Sequence, residues 1–247
     1  MKKQYIFLAA IVGSAGSALA SSAHAGVIWD NYSSGYNPDS GGSASQLDLV
    51  LPFDAQTADD FLFTTAQEVT GVDWIGFFFN GTPLTVPDWN IFFYGDNSGA
   101  PTGGPADPSA TALASYSVGS GAVSLTDNGD NTFSYSTELT SIFAASANST
   151  YWIAIQPIFE FEPQWAISGS LDQTGYTAKI GFPEVLFIPY WSESPLSSNE
   201  QGDMAFRLTG AEEVPTPATL ALFGLGLAGL GWCKHHSKSA PICRILK

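Results

Sequence analysis

Two adjacent carboxylates, Asp59 and Asp60, stand just before the apolar run Phe61-Leu62-Phe63. Side chains alternate along an extended chain, so one carboxylate is expected on each face of a strand. Calcium is the metal such oxygen ligands suit, with adjacent Asp residues supplying a side chain and a backbone carbonyl and Asp96 a third carboxylate. The alternative for each Asp is a buried carboxylate that fixes a loop by hydrogen bonds. Asp127-Asn128-Gly129-Asp130-Asn131 has acids at its first and fourth positions but no closing Glu, so a solvated hairpin tip is expected rather than a calcium loop. Glu160 and Glu162 flank Phe161, and on one strand face they would stand about 7 Å apart, within the range of a carboxylate-based polysaccharide hydrolase or lyase.

Aromatic side chains offer a second kind of chemistry. Trp191, among turn formers in Pro189-Tyr190-Trp191-Ser192, and Trp165, beside the glutamate pair, are the candidates for stacking on sugar rings in a glycan-binding module. Against this, a sandwich without crosslinks needs large apolar side chains in its core, and most tryptophans are expected there.

Other chemistries are excluded by what the body of the chain lacks. Both cysteines, Cys233 and Cys243, and all three histidines, His24, His235 and His236, lie in the two end segments. Residues 26–213 therefore hold no disulfide, no nitrogen- or sulfur-ligated metal site and no His-dependent nucleophile. All 23 acidic residues fall in this body against only Lys179 and Arg207, a net charge of −21. Such a surface repels the phosphates of nucleic acid.

The elements that must position these residues are strands. No long segment repeats apolar residues with helical spacing, whereas short runs of Phe, Trp, Tyr, Ile and Val alternate with turn signals. An all-β, antiparallel, jelly-roll-like sandwich over residues 26–213 is expected. Tyr151-Trp152-Ile153-Ala154-Ile155-Gln156-Pro157, almost unbroken in its apolarity, reads as a central strand covered on both faces. Gly95–Ser109 and Ser33–Ser45, rich in Gly, Pro and Ser, read as loops.

Both ends carry addresses. Lys2 and Lys3 precede a short apolar run and the small-residue sequence Ala23-His24-Ala25, the pattern of a secretory signal peptide, with cleavage expected between Ala25 and Gly26. At the other end the motif Val214-Pro215-Thr216-Pro217 leads into an uncharged run, 218–232, and then Lys234, His235, His236 and Lys238. The run reads as one transmembrane helix, its glycines tolerated by close packing in lipid. The positive charge that follows keeps residues 239–247 cytoplasmic and the acidic domain outside.

This order of Pro motif, apolar helix and basic cluster resembles the PEP-CTERM sorting signal of Gram-negative bacteria, which exosortase proteases handle in the inner membrane. Thr216 stands where the name-giving motif has Glu. The body is similar to the unassigned secreted β-sandwich domains that carry this tag, in Ala58-Asp59-Asp60-Phe61, Tyr94–Pro101 and Asp203–Gly210. The resemblance implies export, cleavage near the Pro motif, an exosortase-type protease and export machinery as partners, and association with extracellular polysaccharide in a biofilm-like matrix. It brings no enzymatic activity.

Overall fold

The computed structural model describes residues 25–38, 41–81, 87–183, 188–195 and 202–211. The signal-like segment 1–24, the motif 214–217 and the apolar run 218–232 lie outside the described residues. Among the described residues no helix is long and apolar enough to cross a membrane.

The chain runs through β1 (Ala25–Asp30), β2 (Gly42–Ala44), β3 (Gln56–Leu62), β4 (Gln67–Phe78), β5 (Asp88–Gly95), a single turn α1 (Pro108–Thr111), β6 (Ala114–Val118), β7 (Ser124–Asp127) and β8 (Phe133–Ala145). It continues with β9 (Thr150–Ile158), β10 (Trp165–Ser168), β11 (Lys179–Phe182), β12 (Ile188–Glu193) and β13 (Phe206–Ala211). Two antiparallel sheets result. The first is organised by β4, whose length lets one edge pair with β13 from Val69 to Trp74 and then with β10 from Gly76 to Phe78. Its other edge pairs with β8; β1, β2 and β7 lie outside β13, β10 and β8. The second sheet has the order β12-β11-β3-β9-β5-β6.

Aromatic packing joins the sheets. Trp74, Trp89 and Trp165 are fully buried between them, with Trp89 set edge-on to Trp74 at 4.9 Å and to Trp165 at 5.2 Å. Each such ring removes roughly 200 Å² from water, worth roughly 5 kcal/mol at ~25 cal/mol per Å² before entropy is charged against it. That burial is how a domain without disulfides closes. Glycines admit the rings: a Cβ at Gly76 would lie 2.2 Å from Trp165 Cζ2, and one at Gly42 would lie 2.5 Å from Phe77 Cε1.

Three sequence expectations are corrected. Ser33–Ser45 is not all loop, because Gly42–Ala44 forms β2 against β10, where small residues let the backbones approach. The turn-forming stretch Asp127–Asn131 and the short alternating run Thr132–Ser136 after it suggest a strand ending at Ser136, but β8 continues to Ala145, passing through an irregularity opposite Val69 and Gly71. The stretch from Phe159 to Gln164 is a loop, so Glu160 and Glu162 share no strand face.

Candidate functional site

The outer face of the second sheet is the most chemically dense part of the domain. Alternation along β3 and β9 divides their side chains: Phe61, Ile153 and Ile155 enter the core between the sheets, whereas Ala58, Trp152 and Ala154 form a smaller cluster on the opposite face with Phe92 and Tyr94. That cluster is roofed by loops. Tyr176 stacks on Trp152 at 6.1 Å and 14°, and Trp191 stands edge-on to Tyr94 at 5.9 Å. Gly99 packs beneath the Tyr176 ring, and its positive φ of +89° lets the loop after β5 turn there.

Carboxylates tie the roof down. Asp96 Oδ1 accepts from Gly99 N at 3.1 Å and from Trp152 Nε1 at 2.9 Å. Asp60 lies across from Trp152 in the register and accepts from Tyr176 N at 2.7 Å. Asp59, its neighbour, turns to the other face and is fully buried. There it accepts from Met204 N at 2.7 Å, from Asn31 Nδ2 at 2.9 Å and from Asp60 N at 2.9 Å. Asp203 accepts from Thr174 N, and Thr174 Oγ1 donates to Asn31 Oδ1. One knot of side chains thus joins the end of β1, β3, the loop before β11 and the approach to β13.

Among the described residues no ion pair joins a Lys or Arg to the carboxylates of this knot. Burial pushes the Asp60 carboxyl up to about 7, with the negative charges of Asp203 and Asp96 adding to the rise and the Tyr176 N–H opposing it. Burial likewise raises Asp203 to about 6. Asp59 is held well above the usual carboxylate range by burial first and by Asp203 second. The two cations of the body are engaged elsewhere, Lys179 with Glu193 and Arg207 with Asp30 at 2.9 Å.

The structure therefore brings Asp60 and Asp96 to the same face and sends Asp59 to the other. Asp59 spends both oxygens on N–H donors, and Asp96 uses one oxygen twice. Among the described residues no three His, Cys, Asp or Glu side chains are grouped to hold a metal ion. Asp59, Asp60 and Asp96 accept from the backbone N–H groups of Met204, Tyr176 and Gly99, and Asp96 also from Trp152 Nε1. Trp165 is a correction to the stacking expectation: it is fully buried between the sheets and offers no face to a ligand. Trp191 is partly buried on Tyr94, while Tyr176 and Tyr190 are the more exposed rings, at 46% and 62%. Nothing in the local sequence around Asn31, Thr174, Tyr176 and Asp203 marks them as site residues. Gly175, with φ +71° and Asp60 Oδ2 only 2.3 Å from where its Cβ would stand, is the local signal that a loop closes on a carboxylate there.

A second functional region is the pair of chain ends. Ala25 pairs with Ala211 and Gly26 with Gly210, so the expected signal cleavage point lies beside the last residue of β13. Residues 213–234 match the family model of the PEP-CTERM protein-sorting motif. No curated protein matches the chain. The match takes in Val214, Pro215, Thr216 and Pro217 and ends at Lys234, in the basic cluster. Such a motif marks an exported protein that exosortase machinery processes.

Proposed function

We propose that this chain is a non-enzymatic, exported β-sandwich protein that its tail holds at the membrane until an exosortase-type protease acts near Val214–Pro217. The domain is then displayed at the cell surface or released into an extracellular matrix. The observation that supports this most is the sorting motif at 213–234, which begins two positions after the end of β13 at Ala211. A body with no His or Cys, whose buried carboxylates are occupied by backbone donors, favours structural use over catalysis. Removal of Val214–Lys247, or replacement of Pro215 and Pro217 by Ala, is expected to abolish sorting in an exosortase-bearing host. Unchanged surface display and unchanged processing of either variant would oppose the proposal.

A second reading is favoured by one observation, the exposed Tyr176 ring stacked on Trp152, with Trp191 packed on Tyr94 in the same outer cluster. A flat aromatic surface of this kind suits the face of a sugar ring, and polysaccharide is the ligand class it would take. Calorimetric titration with matrix polysaccharide tests it. Binding that Tyr176→Ala weakens supports a glycan-binding module, and heat signals indistinguishable from dilution remove it. Repeating the titration with a chelator tests whether calcium takes part.

A further inference from the structure

The outer face of the first sheet carries polar side chains that differ from those of the knot. Val72, Trp74 and Leu208 enter the core, so Gly71, Asp73, Arg207 and Thr209 alternate to the outside. Register sets Gly71 between Thr209 and Glu138, and Asp73 between Arg207 and Ser136, with Ser124 of β7 beyond Ser136. Two polar rows therefore lie side by side across the sheet. Gly71 is their floor. A Cβ there would stand 2.5 Å from Thr209 Oγ1 and 3.3 Å from Glu138 Oε2, so these two side chains converge over a position that glycine leaves empty. Asp73 and Glu138 are diagonal neighbours on adjacent strands, roughly 7–8 Å apart in backbone position, close enough for one ligand to reach both.

Asp73, Glu138, Ser124, Ser136 and Thr209 line a cavity of about 370 Å³, at the small end of the range of about 300–1,000 Å³ for small-molecule sites. Among the described residues none of these five side chains has a hydrogen-bond partner, whereas Asp48, Asp59, Asp60 and Asp96 all accept from backbone N–H groups. Arg207 is held by Asp30 at 2.9 Å and lies over the Tyr32 ring at 4.1 Å, and among the described residues neither Asp73 nor Glu138 has an ion pair. Burial raises the Asp73 carboxyl; Arg207 opposes the rise, and Glu138 and Asp30 add to it. Ala25 forms one wall. Cleavage before Gly26 would remove that wall and leave an α-ammonium at its margin, and this group and Arg207 would still face three carboxylates, Asp30, Asp73 and Glu138. Ionised carboxylates only accept hydrogen bonds, while hydroxyls accept or donate. A ligand that satisfies the cavity therefore brings several donors and a positive charge. A sugar acid would be repelled, and a neutral sugar would leave the charge unpaired.

We propose that this cavity on the outer face of the first sheet is a binding site for an amino sugar with a free ammonium group. The ammonium lies between Asp73 and Glu138, and the ring hydroxyls meet Ser124, Ser136 and Thr209. The site is on the opposite sheet from the Tyr176 surface, and it goes beyond the sorting reading because it depends on neither the tail nor that aromatic cluster.

The test is calorimetric titration of the exported protein, purified from an exosortase-bearing host, with a β-1,4-linked glucosamine tetramer near pH 6, below the ordinary range of an amine. Binding is expected, and Asp73→Asn and Glu138→Gln are each expected to weaken it by about tenfold, the worth of one hydrogen bond to a charged group. Glu138 is exposed, so Glu138→Gln carries the test should Asp73→Asn disturb the fold. The fully N-acetylated tetramer is expected to bind at least about tenfold more weakly, having lost the charge. Tyr176→Ala, and Glu160→Gln combined with Glu162→Gln, are expected to leave the affinity within about twofold, since they lie outside the cavity. Glucosamine monomer that binds as tightly as the tetramer assigns a free amino sugar, and a tighter tetramer assigns a polysaccharide; either upholds the site. Heats indistinguishable from dilution, or equal affinity for the N-acetylated tetramer, overturn it. An equal loss in the Glu160 and Glu162 variant also overturns it, since the binding would then be a general attraction of cations to a body of charge −21.

Discussion

Replacing Asp60 by Asn separates the charge of this side chain from its shape. The amide oxygen still accepts from Tyr176 N, as Oδ1 does at 2.7 Å, but the buried negative charge is gone. In the folded domain burial holds the Asp60 carboxyl near pKa 7 against an ordinary value of 3.8. The folded state therefore binds the proton more tightly than the unfolded chain does. Stability from this group is fully present below about pH 4 and is lost as pH rises through about 7. At ~1.4 kcal/mol per tenfold in proton affinity, the loss is roughly 4 kcal/mol at most, and solvent relaxation reduces it to about 2. Asp60→Asn is thus expected to be more stable than wild type by about 2 kcal/mol near pH 8, or about 4–8 °C in melting temperature for a domain of this size. Near pH 4 the two proteins are expected to melt together. Thermal melts of residues 26–213 from pH 4 to 8 measure this. A variant that is less stable at pH 8, or one displaced equally at every pH, would refute the claim that no ion pair offsets the buried charge.

Four further outcomes follow from the same geometry. Millimolar calcium is expected to leave the melting temperature unchanged, since Asp59, Asp60 and Asp96 are committed to N–H donors; a rise that Asp60→Asn removes would reassign the cluster as a cation site. Trp165→Ala is expected to cost about 3–5 kcal/mol in denaturant unfolding, because the ring is fully buried against Trp89. Tyr176→Ala, whose ring is 46% exposed, is expected to cost far less, and equal losses would argue against the assigned core. Gly76→Ala should destabilise by about 1–3 kcal/mol, since its Cβ would stand 2.2 Å from Trp165 Cζ2; a neutral effect in the same assay would show that the ring gives way freely.

How far the sequence could be read depended on whether a feature was local. Tyr151–Pro157 announced a central strand through its unbroken apolarity. β9 indeed lies between β3 and β5, with Ile153 and Ile155 in the core and Trp152 and Ala154 under the loops. The opposite facing of Asp59 and Asp60 followed from strand alternation alone, and their registers opposite Ile153 and Trp152 bear it out. Gly42–Ala44 escaped notice because small residues carry no strand signal, and only the close approach of β10 makes the segment extended. Asp203 and Asn31 escaped for a different reason. They meet Asp59 and Thr174 through strands far apart in the chain, and no spacing encodes that meeting. Trp165 looked like a ligand platform beside two glutamates, but the loop that carries Glu160 and Glu162 leads it directly into the core. The tail was legible because its three parts are contiguous, and residues 213–234 match the sorting-motif family model.

The central claim is that the tail is a processed sorting signal on an exported domain. Intact mass spectrometry of the exported protein, purified from an exosortase-bearing host, tests it most directly. The account predicts a chain that begins at Gly26, ends close to Val214–Pro217 and lacks Cys233 and everything beyond it. A mature protein that still ends at Lys247 would contradict it.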